Sequence, residues 1–131
     1  MNRPVHFEIH AADPRRTMAF YTRLFGWKFA PYGPPDFYWL VTTGEDGTPG
    51  INGGLVKRTG ATPDVNAHTA VIAYVATIDV EDVDSAGDAI LEAGGFPALG
   101  KQVIPGVGLT AYYKDTEANI FGIFQADKNA K

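Results

Sequence analysis

A chain of 131 residues, 45 % hydrophobic and 20 % charged, holds enough material for one globular domain with a real core, and too little for two independent ones. Its net charge of −4 comes without a basic stripe, which argues against nucleic acid, and the absence of cysteine excludes disulfides, thiolate metal sites and a cysteine nucleophile. The longest apolar run, "AVIAYVA" at 70–76, is too short to cross a bilayer, and the N-terminus lacks the basic-then-apolar pattern of an export signal. A cytoplasmic protein without membrane contact is expected.

The alternating segment Val5–Ala12 predicts a first strand, with Phe7, Ile9 and Ala11 pointing one way and His6, Glu8 and His10 the other. It runs into Asp13 and Pro14, a helix cap followed by a residue suited to the first turn. Met18, Tyr21, Leu24 and Phe25 recur at helical spacing, and Gly26 ends the run. Strands are predicted over Trp27–Ala30, Phe37–Thr42 and Ile51–Lys57, separated by the turn-rich "PYGPPD" and "TGEDGTPG".

The same order of signals then recurs. "AVIAYVATIDV" (70–80) reads as a strand, Asp82 as a cap, Val83, Ala86, Ile90 and Ala93 as an apolar helical stripe, and Gly94 as its end. Strands follow at Phe96–Val103, Leu109–Lys114 and Asn119–Gln125. Asp13 matches Asp82 and Gly26 matches Gly95, both 69 residues apart. The chain thus divides into module 1 (1–57), a linker (58–68) and module 2 (69–131), each strand–helix–strand–strand–strand. One helix covers only one face of a four-stranded sheet, so the other faces are expected to meet and enclose a cleft.

In that arrangement His6, Glu8 and His10 face the cleft. They form a polar wall, a substrate contact or an acid–base site with Glu8 as candidate base, its pKa set by burial against a nearby imidazolium. A metal held by the trio is a further reading. His6 and Glu8 stand about 6.7 Å apart along a strand, but a single straight strand makes poor tetrahedral geometry. Thr77 and Asp79 occupy the same phase in the second copy. Phe20, Tyr21, Phe25 and Trp27 read as core. Among consecutive aromatics, Trp39 and Tyr112 are assigned to the cleft over Tyr38 and Tyr113, where rings suit a flat or hydrophobic small molecule. The glycines of "INGGL" and "IFGIF" mark either close strand crossings or, as the favoured reading, room for a ligand. No phosphate-binding glycine loop or nucleophile elbow is present.

The stretch "HFEIHAADPRRTMAFYTRLFGW" and the closing "DTEANIFGIFQ" at 115–125 resemble the vicinal oxygen chelate superfamily: glyoxalase I, the bleomycin resistance proteins and the extradiol dioxygenases. The resemblance covers nearly the whole chain and implies an α+β fold: paired βαβββ modules forming a cleft-bearing, incompletely closed β-barrel with a helix outside each sheet. It also implies a metal centre with ligands from the first and last strand of each copy. His6 falls on the first such position, whereas Val75, Gly122 and either Gly53 or Gly54 stand at the others, and His68 is out of register. Thr116 and Ala118 depart from the family's closing turn.

A lone imidazole does not hold a divalent ion. The expectation is therefore a small-molecule-binding protein, or a metal-independent enzyme, with His6, Glu8, His10, Trp39, Thr77 and Tyr112 as binding residues and no cofactor. The alternative is a lyase or isomerase of the glyoxalase type using zinc, nickel, iron or manganese. The family's habit of pairing, together with two exposed sheet edges, predicts a homodimer.

Overall fold

The computed structural model describes residues 2–62, 73–116 and 119–131. Two compact units comprise it, one of His6–Tyr74 and the other of Met1–Val5 with Val75–Lys131. The fold is α+β, and each unit is described by itself.

In the first unit, strand β1 (Pro4–Ala11) leads into helix α1 (Pro14–Phe25), then β2 (Lys28–Pro31), β3 (Tyr38–Thr42) and β4 (Gly53–Lys57). The strands lie in the order β2-β3-β4-β1, with β1 parallel to β4 and the remaining pairs antiparallel. The second unit repeats this. Strand β5 (Val75–Asp79) leads into α2 (Val83–Glu92), β6 (Phe96–Ile104), β7 (Gly108–Lys114) and β8 (Ile120–Ala126), in the order β5-β8-β7-β6, with β5 parallel to β8. In both copies the first strand pairs with the last. The duplication read from the sequence is therefore also a duplication of topology. Pro4 and Val5, the first residues of β1, group with the second unit, where the Asp79 amide donates to the Arg3 carbonyl at 2.9 Å.

Local chemistry explains both helix starts. The Asp13 carboxylate accepts from the Arg16 amide at 3.1 Å with Pro14 in the first turn, and Asp82 accepts from the Ser85 amide at 2.8 Å. Gly26 ends α1 in the left-handed conformation (φ 73°), its amide closing on the Thr22 carbonyl. The Gln125 side chain accepts from the Val83 amide at 2.8 Å, tying α2 to the last strand. Of the strand expected over 70–80, Val75–Asp79 is strand among the described residues; residues 70–72, like His68, Ala118 and the linker's 63–68, lie outside them. Among the described residues no helix is long and apolar enough to cross a membrane.

Each unit has its own core. In the first, Ile9, Ala11, Trp39, Val41 and Leu55 are buried, with Phe7, Met18, Tyr21, Trp27 and Phe29 packed against them. In the second, Val83, Ala111 and Ile123 are buried beneath Ala86, Ile90, Ile78 and Tyr113. Tyr21 and Trp27 stack at 4.9 Å, as expected of core aromatics. Phe20 and Phe25 correct the expectation: they are 55 % and 61 % exposed, and Leu24 is 55 % exposed. A 12-residue helix lying on a sheet buries one stripe, and Met18 and Tyr21 already supply it.

Gly87, inside α2, faces Tyr113 of β7. A Cβ there would run into the Tyr113 hydroxyl. Alanine ordinarily stabilises a helix interior by about 1 kcal/mol over glycine, but overpacking costs about 1–3 kcal/mol. Gly87→Ala is accordingly expected to lower stability in urea unfolding. In a Tyr113→Phe background, where the obstructing oxygen is gone, the same change is expected to be neutral or stabilising.

Candidate functional site

Alternation along β1 sends Ile9 and Ala11 into the first core, which leaves His6, Glu8 and His10 on the opposite face of the sheet. In the parallel register Glu8 lies beside Gly54 of β4, and Gly54 in turn lies beside Leu40 of β3. Tyr38, two residues before Leu40, shares that face. Its phenol lies over Gly54, so that a Cβ on Gly54 would coincide with the hydroxyl and Cζ. The hydroxyl meets His6 Nε2 at 3.0 Å. The space that a side chain at position 54 would take is thus filled by a tyrosine from the next strand, and the favoured reading of these glycines as ligand room is corrected to a close crossing. Gly53 is also tight, its Cβ position 2.5 Å from the Phe7 carbonyl oxygen and 2.8 Å from the Phe7 ring.

Burial dominates the electrostatics of this face. It lowers the His6 pKa from 6.5, against an opposing pull from the Glu8 charge, so the imidazole is neutral at pH 7. Burial raises the Tyr38 phenol well above its usual value, with Glu8 and then Tyr32 adding to the effect, and the hydroxyl stays protonated. Two neutral groups therefore share one hydrogen bond, either of them donating, beside a buried carboxylate. Glu8 is 9 % exposed. His10 Nε2 stands 3.8 Å from Glu8 Oε1, within ion-pair range but beyond a hydrogen bond, and it is buried without a hydrogen-bond partner among the described residues. Arg58, which the sequence reading did not single out, donates from its guanidinium to the His10 carbonyl at 2.8 Å, while its amide bonds the Ala11 carbonyl.

Trp39 is a correction. It belongs to the core with Val41 and Leu55, on the helix side, and Tyr38 takes the place assigned to it on the polar face. The polar Thr42 shares the phase of Tyr38 and is the sequence signal that separates the two readings. In the second unit Tyr113 packs in the core, so Tyr112 lies on the other face, beside Gly122 in the ladder. Thr77 is buried there, its Oγ1 3.0 Å from the Cβ position of Gly122 and Tyr112 Cε1 3.3 Å from the same point. The matching registers, Glu8 with Gly54 and Thr77 with Gly122, identify Gly54 rather than Gly53 as the first-copy equivalent of Gly122.

A divalent metal needs three or four ligands held in fixed geometry. On the first unit's face, His6 Nε2 is engaged by Tyr38, position 54 has no side chain, and Tyr38 fills the volume a carboxylate there would need. Among the described residues no three His, Asp or Glu side chains gather closely enough to hold an ion, so the trio of β1 does not converge. These residues do not fit the family's metal centre.

The model of the Glyoxalase/Bleomycin resistance protein/Dioxygenase superfamily matches residues 3–119. No curated protein sequence is significantly similar to the chain. Among solved structures, methylmalonyl-CoA epimerase from Mycobacterium tuberculosis superposes with a TM-score of 0.64 at 11 % identity, covering 95 % of this chain and 88 % of that one. A glyoxalase/bleomycin resistance protein/dioxygenase superfamily member from Vibrio splendidus 12B01 gives 0.62 at 15 % identity over 95 % and 99 %. The Mn(II)-bound glyoxalase from Novosphingobium aromaticivorans gives 0.58 at 16 % identity, over 98 % of this chain and 39 % of that one. At these identities the likeness establishes the fold.

Two outcomes follow from the His6–Tyr38 pair. Tyr38→Phe removes the hydroxyl and leaves a half-buried ring nitrogen unpaired, and is expected to cost roughly 1 kcal/mol in urea unfolding. Because folding lowers the His6 pKa from 6.5, the unfolded chain takes up the proton first. This group therefore leaves stability unchanged above that value and reduces it as pH falls below, until the folded-state pKa is passed. Unfolding measured from about pH 7.5 to about pH 5 should show a shallower acid-side loss in His6→Asn than in the wild-type chain.

Proposed function

Since the chain belongs to the Glyoxalase/Bleomycin resistance protein/Dioxygenase superfamily, we propose that it is a small-molecule-binding member in which a hydrogen-bonded imidazole and phenol stand where the family resemblance puts a metal. The observation that carries this reading is Tyr38 lying over Gly54 with its hydroxyl on His6. A ligand on this face meets a neutral donor–acceptor pair from His6 and Tyr38, and a carboxylate at Glu8 that accepts from an N–H or O–H group. Leu40 and Val56, on the same face, add apolar surface. His10 at the edge of the trio is a further contact proposed on this unit; Thr77 and Tyr112 are proposed as binding residues on the equivalent face of the second unit, taken by itself. Trp39 is not among them.

If the bound compound is also transformed, Glu8 is the base. It is the carboxylate of this face, within reach of a ligand lying against His6 and Tyr38.

Metal analysis of protein purified without chelators, followed by calorimetric titration with zinc, nickel, iron and manganese ions, tests the reading. Sub-stoichiometric metal that His6→Ala does not change is the expected result. A stoichiometric, tightly held ion that disappears in His6→Ala would overturn it in favour of a divalent-metal lyase or isomerase. In a thermal-shift screen of small molecules, a compound that stabilises the wild-type chain is expected to bind Tyr38→Phe and Glu8→Gln about tenfold or more weakly, the scale of one charge-assisted hydrogen bond.

A further inference from the structure

The two copies close the corner between helix and first strand differently. One residue before the matched pairs Glu8–Gly54 and Thr77–Gly122, the first copy has Phe7 and Gly53 where the second has Ala76 and Phe121. The Cβ position of Gly53 lies 2.8 Å from the Phe7 ring, so that ring stands where the second copy places Phe121. In the first unit the ring is covered. Tyr74 stacks on Phe7 with centroids 5.6 Å apart, and its hydroxyl bonds the hydroxyl of Tyr21 on α1. Tyr21 stands eight residues past the cap Asp13; eight past the cap Asp82 stands Ile90, which has neither ring nor hydroxyl. Phe121 accordingly faces a groove instead of another ring.

That groove belongs to the second unit alone. Ala86, Ala89 and Ile90 of α2, with Ile78, Val80 and Phe121 on the helix side of the sheet, wall an open space of about 770 Å³. Small-molecule sites run from about 300 to 1,000 Å³, so there is room for more than one ring. The polar groups are gathered at one end, where Glu81, Asp82 and Ser85 line it. The Asp82 carboxyl is held below its ordinary value, chiefly by the Ser85 amide, and is ionised at neutral pH. The helix behind it carries Asp84, Asp88 and Glu92 and no cation, and Lys101 is already paired with Asp84 at 3.0 Å.

We infer that the groove beside α2 is a separate ligand site, taking a small molecule with a flat aromatic body and a cationic amine. Two observations identify the occupant. The first copy fills the corresponding corner with a ring from its own chain, so a ring lying on Phe121 and against Ile90 repeats the Tyr74–Phe7 stack. The apolar walls lead to carboxylates at one end only, which suits a molecule whose charge is positive and terminal. The ammonium then lies at Glu81 and Asp82, with the Ser85 hydroxyl as a further acceptor. This site goes beyond the proposed function and is independent of it. Its residues lie on the helix side of their sheet, and none is shared with the His6–Glu8–Tyr38 face or with Thr77 and Tyr112.

Titration of the full chain with naphthylmethylammonium, followed by amide chemical shifts, tests the site. Saturable shifts at Ala86, Ala89, Ile90 and Phe121 are expected, with a millimolar or tighter dissociation constant. Naphthylacetate, which has the same ring and the opposite charge, should bind about fivefold or more weakly, the scale of exposed charge pairs. Ala89→Trp fills the groove from an exposed helix position and is expected to weaken binding about tenfold or more. Glu81→Gln, also at an exposed position, should keep ring binding and narrow the preference for the cation by about threefold. Circular dichroism checks that both variants are folded. Shifts confined to the His6–Glu8–Tyr38 face, no saturable shift in the groove, equal affinity for the two naphthyl compounds, or binding indifferent to Ala89→Trp would each overturn the inference.

Discussion

Burial of Ile9 and Ala11 beneath α1 is the constraint from which the rest of the first unit follows. A strand has a period of two, so fixing those two side chains in the core fixes the phase of every neighbour. His6, Glu8 and His10 have no alternative to the opposite face. The parallel ladder to β4 then fixes what stands next to them, and at Glu8 it places a residue without a side chain. A slip of one residue would bring the charged set under the helix and expose the core, so the register is strongly specified.

The absence of a side chain at Gly54 has been used differently from its counterpart in the second unit. At Gly54 a whole aromatic ring has moved in, bringing a hydroxyl to the imidazole; at Gly122 the neighbours are a threonine hydroxyl and the edge of Tyr112, both at ordinary or slightly tight distances. The two repeats therefore share backbone pairing while differing in what their polar faces offer. One presents an imidazole, a phenol and a carboxylate; the other a small hydroxyl and an aromatic edge. In a duplicated fold the backbone is the conservative part, and chemistry diverges one side chain at a time.

What could be read from the sequence was what local physics decides. Asp13 and Asp82 cap helices through amides three residues away, and Gly26 ends α1 through a conformation that glycine tolerates best, so both are visible in a short window. The phase of β1 was legible because apolar and ionisable residues alternate without exception from His6 to Ala11. Trp39 was misplaced because three aromatics stand in a row and size alone does not tell which faces outward. The role of Gly54 was out of reach for a different reason. It depends on a β1–β4 pairing between residues more than forty apart in the chain and on a ring donated by a third strand. Phe20 and Phe25 were assigned to a core that α1 is too narrow to bury them in, a matter of how much of a helix one sheet can cover.

The grouping of Pro4 and Val5 with the second unit means that the repeat in sequence and the repeat in space are not cut at the same place. The amide of Asp79 is satisfied by the carbonyl of Arg3, more than seventy residues earlier in the chain, so β5 completes its backbone pairing with a segment ahead of the first repeat's helix. A gene split at the sequence boundary would yield a C-terminal fragment with an orphaned donor on its first strand.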